Sequence, residues 1–200
     1  MAKAPMAHFC AALAITLAIA GTAHPAQPAP PSPPPVPYED HGACPFECCT
    51  YRTWAAKADT AILSDRRDGS VAAFRVRAGE QVEGITGVVV TTRFGRATIR
   101  VPMPIVVESG TVQLRPGDAV YIARYSGEGV WKTWARGQFL EIELTDKGET
   151  CRGGDGGIAP CAAEIVEKPE TVWWAKIRHH AGQEGWTRQL DHFANIDACG

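Results

Sequence analysis

No excess of either charge marks this chain. Its 20 Lys and Arg stand against 22 Asp and Glu, a formal net charge of −2. A nucleic-acid binder needs a basic stripe to displace counterions from phosphates, so that class is excluded. A membrane-spanning run is missing as well: the apolar stretch Phe9 to Ala20 holds 12 residues, whereas a bilayer span takes ~20. There is no Gly-x-Ser-x-Gly elbow, no His-Glu-x-x-His pair and no phosphate loop. The short motifs that place a nucleophile, a zinc ion or a nucleotide are therefore lacking, and neither a metal nor a cofactor is implied. What is present is 45% apolar residues, enough for a folded core, with 20 Gly and 15 Pro that make turns frequent and long helices scarce.

The N-terminus reads as an export signal. Lys3 supplies the positive charge, Phe9 to Ala20 the apolar run, and Ala18-Ile19-Ala20 the small-x-small cleavage pattern, so residues 1–23 are expected to be removed, leaving no membrane anchor. From Pro25 to Pro37 eight of thirteen positions are proline. Such a stretch favours polyproline II, and residues 24–38 are expected to act as a semi-rigid linker or a proline-motif ligand for a partner domain. The folded part is expected over residues 39–200, in a periplasmic or secreted protein.

Removing the signal discards Cys10 and leaves six cysteines: Cys44, Cys48, Cys49, Cys151, Cys161 and Cys199. An even count in an exported chain reads as three disulfides. Cys151 and Cys161 bracket a glycine-rich segment that can loop back on itself. Cys199 is expected to staple the C-terminus to the Cys-Pro-Phe-Glu-Cys-Cys cluster. A zinc site using His41 or His192 is disfavoured, because zinc knuckles want paired cysteines at two distant places. A nucleophilic cysteine beside His179 or His180 would need a free thiol, which an even count does not leave.

Hydrophobic alternation of period two dominates. Arg96 to Val101 sets Ala97, Ile99 and Val101 on one face; Phe139 to Leu144 sets Leu140, Ile142 and Leu144 opposite Glu141 and Glu143. Further short strands are expected at Val88–Arg93, Ala119–Tyr125, Val130–Ala135 and Val172–Arg178, with helical turns only in Arg188–Ile196. The fold class is all-β, with under about 15% helix against a base rate near 30%. Two internal echoes stand out. Val76-Arg-Ala-Gly-Glu-Gln-Val and Leu114-Arg-Pro-Gly-Asp-Ala-Val lie 38 residues apart and share an apolar-Arg-x-Gly-acid-x-Val pattern. In it Gly makes a tight turn, the acid accepts backbone hydrogen bonds and Val opens the next strand. Gly127-Glu-Gly-Val-Trp131 and Gln183-Glu-Gly-Trp186 form the second.

Ala61 to Ile85, with its Arg77-Ala-Gly-Glu-Gln-Val ending, resembles the opening of a bacterial Src-homology-3-like barrel. Trp173-Trp-Ala-Lys-Ile-Arg-His-His-Ala-Gly-Gln-Glu-Gly-Trp186 is similar to that family's closing hairpin. The resemblance covers about 40 residues, and roughly 80 separate the pieces where the family has a short connection. It implies barrel-like pieces at 39–86 and 166–200, with an insertion or a second barrel-like copy at 87–165. The family's domains are exported, non-catalytic binding modules for peptides or cell-wall material. The Cys-Pro-Phe-Glu-Cys-Cys opening also resembles uncharacterised exported bacterial proteins.

Candidate chemistry is sparse. His179 and His180 are expected in a hairpin turn with diverging side chains, unsuited to a shared metal. Gly153-Gly-Asp-Gly-Gly157 occurs once, whereas glycine-rich calcium turns need repetition. Tryptophan is the informative excess, six in the chain. Trp173 shares a strand face with Ala175 and Ile177 and belongs to the core. Trp174 shares the other face with Lys176 and Arg178, so it is either a ligand contact or covered by the inserted segment. Trp131 and Trp134 lie on a strand whose inward face the pattern leaves undecided. The function expected is a non-catalytic exported binding or scaffold module. Its contact strip would hold Trp174, Trp131 and Tyr121, with Lys176 and Arg178 suited to a carboxylate-bearing peptide or peptidoglycan fragment. The alternative is a cell-wall hydrolase centred on His192 and Asp191.

Overall fold

The computed structural model describes residues 32–152 and 157–199. The export signal expected over 1–23, residues 24–31 of the expected linker and residues 153–156 of the single glycine-rich segment lie outside them. Among the described residues the only helical element is a 3-10 turn at Leu190–His192, shorter than the helical turns expected over Arg188–Ile196, and the rest is strand and turn. No helix there is long and apolar enough to cross a membrane.

In chain order, β1 (Tyr38–His41), β2 (Thr53–Ala56), β3 (Thr60–Leu63), β4 (Ala72–Val76) and β5 (Gln81–Arg93) begin a first sheet. The chain then builds β6 (Gly95–Ile99), a hairpin of β7 (Met103–Val107) and β8 (Gly110–Leu114), β9 (Val120–Gly127), β10 (Val130–Ala135) and β11 (Gln138–Glu143). A small hairpin, β12 (Thr150–Arg152) and β13 (Ile158–Pro160), leads to β14 (Ala163–Glu167). Strands β15 (Glu170–His179), β16 (Glu184–Thr187) and β17 (Phe193–Ala194) then return to the first sheet.

The two sheets repeat one topology. The first has the order β17-β2-β5-β15-β16-β3-β4, with β1 added beside β5; the second has the order β14-β6-β9-β10-β11. The β7–β8 hairpin lies against β11, where β3–β4 lies beside β16 in the first. The first internal echo is the hinge of both copies. The Arg77 amide donates to Glu80 Oε2 at 2.8 Å and the Glu80 amide donates back to the Arg77 carbonyl at 3.1 Å. The Arg115 amide donates to Asp118 Oδ2 at 2.8 Å and the Asp118 amide to the Arg115 carbonyl at 3.0 Å. Gly79 (φ 89°) and Gly117 (φ 92°) occupy the left-handed position that glycine alone adopts without strain. The flanking Val76, Leu114, Val82 and Val120 are all buried. In the second copy β9 and β10 are joined by a turn through Glu128 and Gly129. The equivalent joint of the first copy, between β5 and β15, carries residues 94–169.

Three details differ from the sequence reading. β5 of the first sheet runs to Arg93 and β14 of the second to Glu167, so the segment between β5 and β15 is 94–169, both limits later in the chain than 87–165. Val101 is 48% exposed because β6 ends at Ile99, two residues before the alternation does. The second echo is only local: its two copies open β10 and β16, strands that are not equivalent in the two sheets.

Each sheet has its own core. Trp54, Ile62, Phe74, Val76, Val82, Ala175, Ile177 and Phe193 fill the first, with Trp173 against it. Ile99, Leu114, Val120, Ile122, Leu140, Ile142 and Ile165 are among those filling the second. A polar clasp joins them: Asp40, 8% exposed, receives Arg124 Nε and, at 2.6 Å, Lys132 Nζ. Thr91 Oγ1 donates to the Ala123 carbonyl at 3.0 Å beside it. Three disulfides add covalent ties, Cys44–Cys49, Cys48–Cys199 and Cys151–Cys161. The last two match the bridges expected, and such bridges belong to a non-cytoplasmic, oxidising environment.

Candidate functional site

The strand β15 carries the residues singled out by face parity. Trp173 and Ala175 turn to the first core, and Ile177 follows after a register shift at Lys176/Ile177. Trp174 takes the opposite face, as alternation requires, yet it is only 5% exposed. The Arg188 guanidinium lies 5.5 Å from its ring centroid. On β16, Trp186 is half-buried with Arg66 at 5.2 Å, and Arg66 is held by a two-pronged bond to Glu39 (3.0 and 2.8 Å). The expected open strip is therefore corrected at Trp174: arginines from outside residues 87–165 lie over this face, and the indole offers no free stacking surface.

The two cations beside it are also engaged. Lys176 Nζ sits 2.6 Å from Glu184 Oε2, and Arg178 bridges Glu184 (2.7 Å) and Glu83 (2.9 Å). Hydrogen bonds from Lys176 and Arg178 hold the Glu184 carboxyl below its ordinary pKa, and the Glu184 hydrogen bond raises that of Arg178. This is a cross-strand ion ladder on a solvated face. Trp131 and Tyr121 do not join Trp174 or each other. Trp131 packs against the second core, its ring 5.0 Å from Tyr125, whereas Tyr121 faces away from that core.

Tyr121 belongs instead to an aromatic face that the sequence reading missed. Cross-strand pairing sets Arg96, Tyr121, Trp134 and Phe139 in one row over β6, β9, β10 and β11. Their neighbours Ala97, Val120, Ala135 and Leu140 point the other way, into the core. The three rings of the row are half-buried, and Trp134 meets Phe139 edge-on at 5.0 Å. Tyr38, from β1, stacks on Phe139 at 4.8 Å and lies 5.9 Å from Phe94. Lys132 Nζ sits 5.0 Å from the Phe139 centroid and 5.8 Å from that of Tyr38. Burial opposes the Lys132 charge, but the hydrogen bond to Asp40, the charge of Asp40 and the interactions with Tyr38 together outweigh it and raise the pKa. The Trp134 indole N–H is buried and has no hydrogen-bond partner among the described residues. The face thus combines stacking area, one unspent donor and a fixed cation.

The histidines are arranged otherwise than expected. His179 and His180 do not diverge: their rings lie 3.8 Å apart, against Phe74 at 5.6 Å from His179. His179 Nε2 is 3.9 Å from Glu80, beyond hydrogen-bonding range. The His192–Asp191 pair of the hydrolase alternative is not assembled. His192 Nδ1 contacts Thr60 Oγ1 at 2.9 Å on one side of the 3-10 turn, and Asp191 is exposed. Asp197 lies near the sulfurs of Cys48 and Cys199, but those sulfurs bond each other and are not thiolate ligands.

No protein-family model, curated protein or solved structure matches this chain.

One member of the aromatic row was legible in advance. With Leu140, Ile142 and Leu144 inward, Phe139 falls on the outward face with Glu141. Trp134 was not, because β10 carries register shifts at Val130/Trp131 and Lys132/Thr133 that reset its alternation. Tyr38 reaches Phe139 across 101 residues of sequence, a contact with no local signature.

Proposed function

We propose that this chain is an exported, non-catalytic binding or scaffold module for peptides or cell-wall fragments. In this reading both sheets are Src-homology-3-like barrels, the second inserted between two neighbouring strands of the first. Residues 1–23 are the export signal, in keeping with the disulfide-bonded fold. The observation that carries the proposal is the row Tyr121–Trp134–Phe139 with Lys132 and Arg96 at its margins. Flat aromatic area with few polar groups suits extended ligands, because rings lose little entropy on contact and the polar groups set register. Of the residues first expected to contact ligand, Tyr121 lies in this face, and Trp174, Lys176, Arg178 and Trp131 lie elsewhere.

The test is capture of solubilised muropeptides and of an extended-peptide library by the exported protein and by Tyr121→Ala. Loss of capture, with the unfolding midpoint within about 1 kcal/mol of the parent, supports the reading. Equal capture by both proteins, or none by either, overturns it.

A further inference from the structure

The hairpin of β7 and β8 carries almost no charge. Residues 101–114 hold one charged side chain, Glu108, and Val106 on the outer face is 84% exposed. On the inner face Met103, Ile105, Val107 and Val112 pack on the second core. Among the described residues β8 pairs with β7 alone. An unpaired strand edge invites further strands, and folded proteins blunt such edges with charge, proline or shortness. Of the strands that end the two larger sheets, β4 carries Arg75, β11 Glu141 and Glu143, β14 Glu164 and Glu167, and β17 is two residues long. β8, Gly110-Thr-Val-Gln-Leu114, has none of these guards.

The free edge has a defined pattern. Pro104 pairs with Gln113 but has no N–H, so theirs is a non-hydrogen-bonded pair. Alternation along an antiparallel ladder makes Val106 and Thr111 another. It turns the N–H and C=O groups of Thr111 and Gln113 away from β7, and both residues are exposed. The outer edge of β7 is itself blunted by Pro104. An antiparallel second β8 centred on Val112 meets these groups: Thr111 of each copy faces Gln113 of the other, and each such pair exchanges both backbone hydrogen bonds. The ends of the strand are complementary as well. Glu108 and Arg115, just beyond β8 on either side, are exposed, and neither side chain makes an ion pair or hydrogen bond among the described residues. Antiparallel pairing sets the Glu108 end of one strand beside the Arg115 end of the other, whereas parallel pairing would set like charges together.

We propose that β8 is an interface between two copies of this chain, which join β8 to β8 about a two-fold axis at Val112 and so form one continuous sheet. The residues outside the described structure offer no substitute strand. Residues 24–31 are proline-rich and 153–156 glycine-rich, and proline cannot donate to a ladder while glycine has no side chain to pack. The contact is small: one five-residue strand a side, against about 20–30 residues a side in a stable interface. The dimer is therefore weak and forms only at high concentration. It is separate from the ligand reading, since β8 contributes no residue to the row Tyr121–Trp134–Phe139.

Sedimentation velocity on the signal-processed protein, disulfides intact, tests this from about 10 µM to about 1 mM, the range suited to a small interface. The parent is expected to shift toward twice its monomer mass. Its Thr111 and Gln113 amides should exchange at least about fivefold more slowly at the upper concentration than at the lower, with Val112 unchanged. Thr111→Lys puts a charge on the edge, and Gln113→Pro removes an outward donor without touching the β7 ladder. Each should abolish the shift at a parental unfolding midpoint. Glu108→Arg should weaken association, and Glu108→Arg/Arg115→Glu should restore it, a rescue that pairing with a foreign strand would not show. A parent that stays monomeric at the upper concentration overturns the proposal, as does a dimer that Thr111→Lys and Gln113→Pro leave intact. A monomeric parent whose Thr111 amide is protected only by added extended peptides would assign the edge to a foreign strand and overturn it too. None of these outcomes bears on muropeptide capture through Tyr121, which is read separately.

Discussion

Asp40 is the point at which removing one carboxylate should be felt by both sheets. Its side chain is 11% exposed, and its carboxylate holds two cations from the other sheet, Arg124 and Lys132. Breaking a buried pair by removing one partner costs about 3–5 kcal/mol, since the remaining charge stays desolvated. Asp40→Asn removes the charge and nearly preserves the shape. Arg124 would keep its bonds to the Tyr125 carbonyl and Ser126 Oγ, both 2.9 Å, and Lys132 its position over Phe139. The loss should therefore fall near the lower limit, about 3 kcal/mol. At about 2–4 °C per kcal/mol for a chain of this size, the melting temperature should fall by about 6–12 °C. Burial alone would raise the Asp40 pKa, but the hydrogen bonds and charges of Lys132 and Arg124 outweigh it and hold the folded value below the ordinary one. A depressed folded pKa means the stabilisation is fully present above the unfolded pKa of about 3.9 and is lost as pH falls through the folded value. Parent and variant should thus differ most near neutral pH and converge below about pH 4. Urea unfolding followed by tryptophan fluorescence, with disulfides intact, measures both effects. A neutral-pH difference under about 1 kcal/mol, or one that persists unchanged into acid, would refute the reasoning.

Trp174→Ala should cost about 3–5 kcal/mol because the indole is buried, and thermal melts decide it; near-parental stability would mean the ring is dispensable there. Glu80→Ala and Asp118→Ala remove the same turn bond from the two sheets, so each should lose about 1 kcal/mol in denaturant titrations. Their double variant should be additive, because the sites share no partner, and strong coupling between them would contradict two separate cores. Replacing Cys48 and Cys199 together with Ser opens a bridge of sequence separation 151. In the chain-entropy model this removes up to about 5 kcal/mol, read as a lower urea midpoint, and non-reducing peptide mapping should show the other two pairs intact.

Local chemistry settled a definite share of this protein in advance. Alternating apolar residues have one physical solution, a half-buried strand, so the all-β class and the outward turn of Trp174 were legible. A glycine with an acid one residue on encodes its own tight turn, and so the Arg77–Glu80 and Arg115–Asp118 echo appears as the same hydrogen-bonded joint in both sheets. Cysteines ten positions apart about a glycine-rich segment announced the Cys151–Cys161 bridge. Alternation says which face a side chain takes, but not what lies over that face. Only the tertiary structure brings Arg188 over Trp174 and engages Lys176 and Arg178 with Glu184. Register shifts in β10 reset the period-two pattern, so the direction of Trp134 is decided by pairing with its neighbours. The meeting of Tyr38 with Phe139 depends on how one sheet docks against the other, and stacking between distant rings leaves no trace in the residues that flank either one.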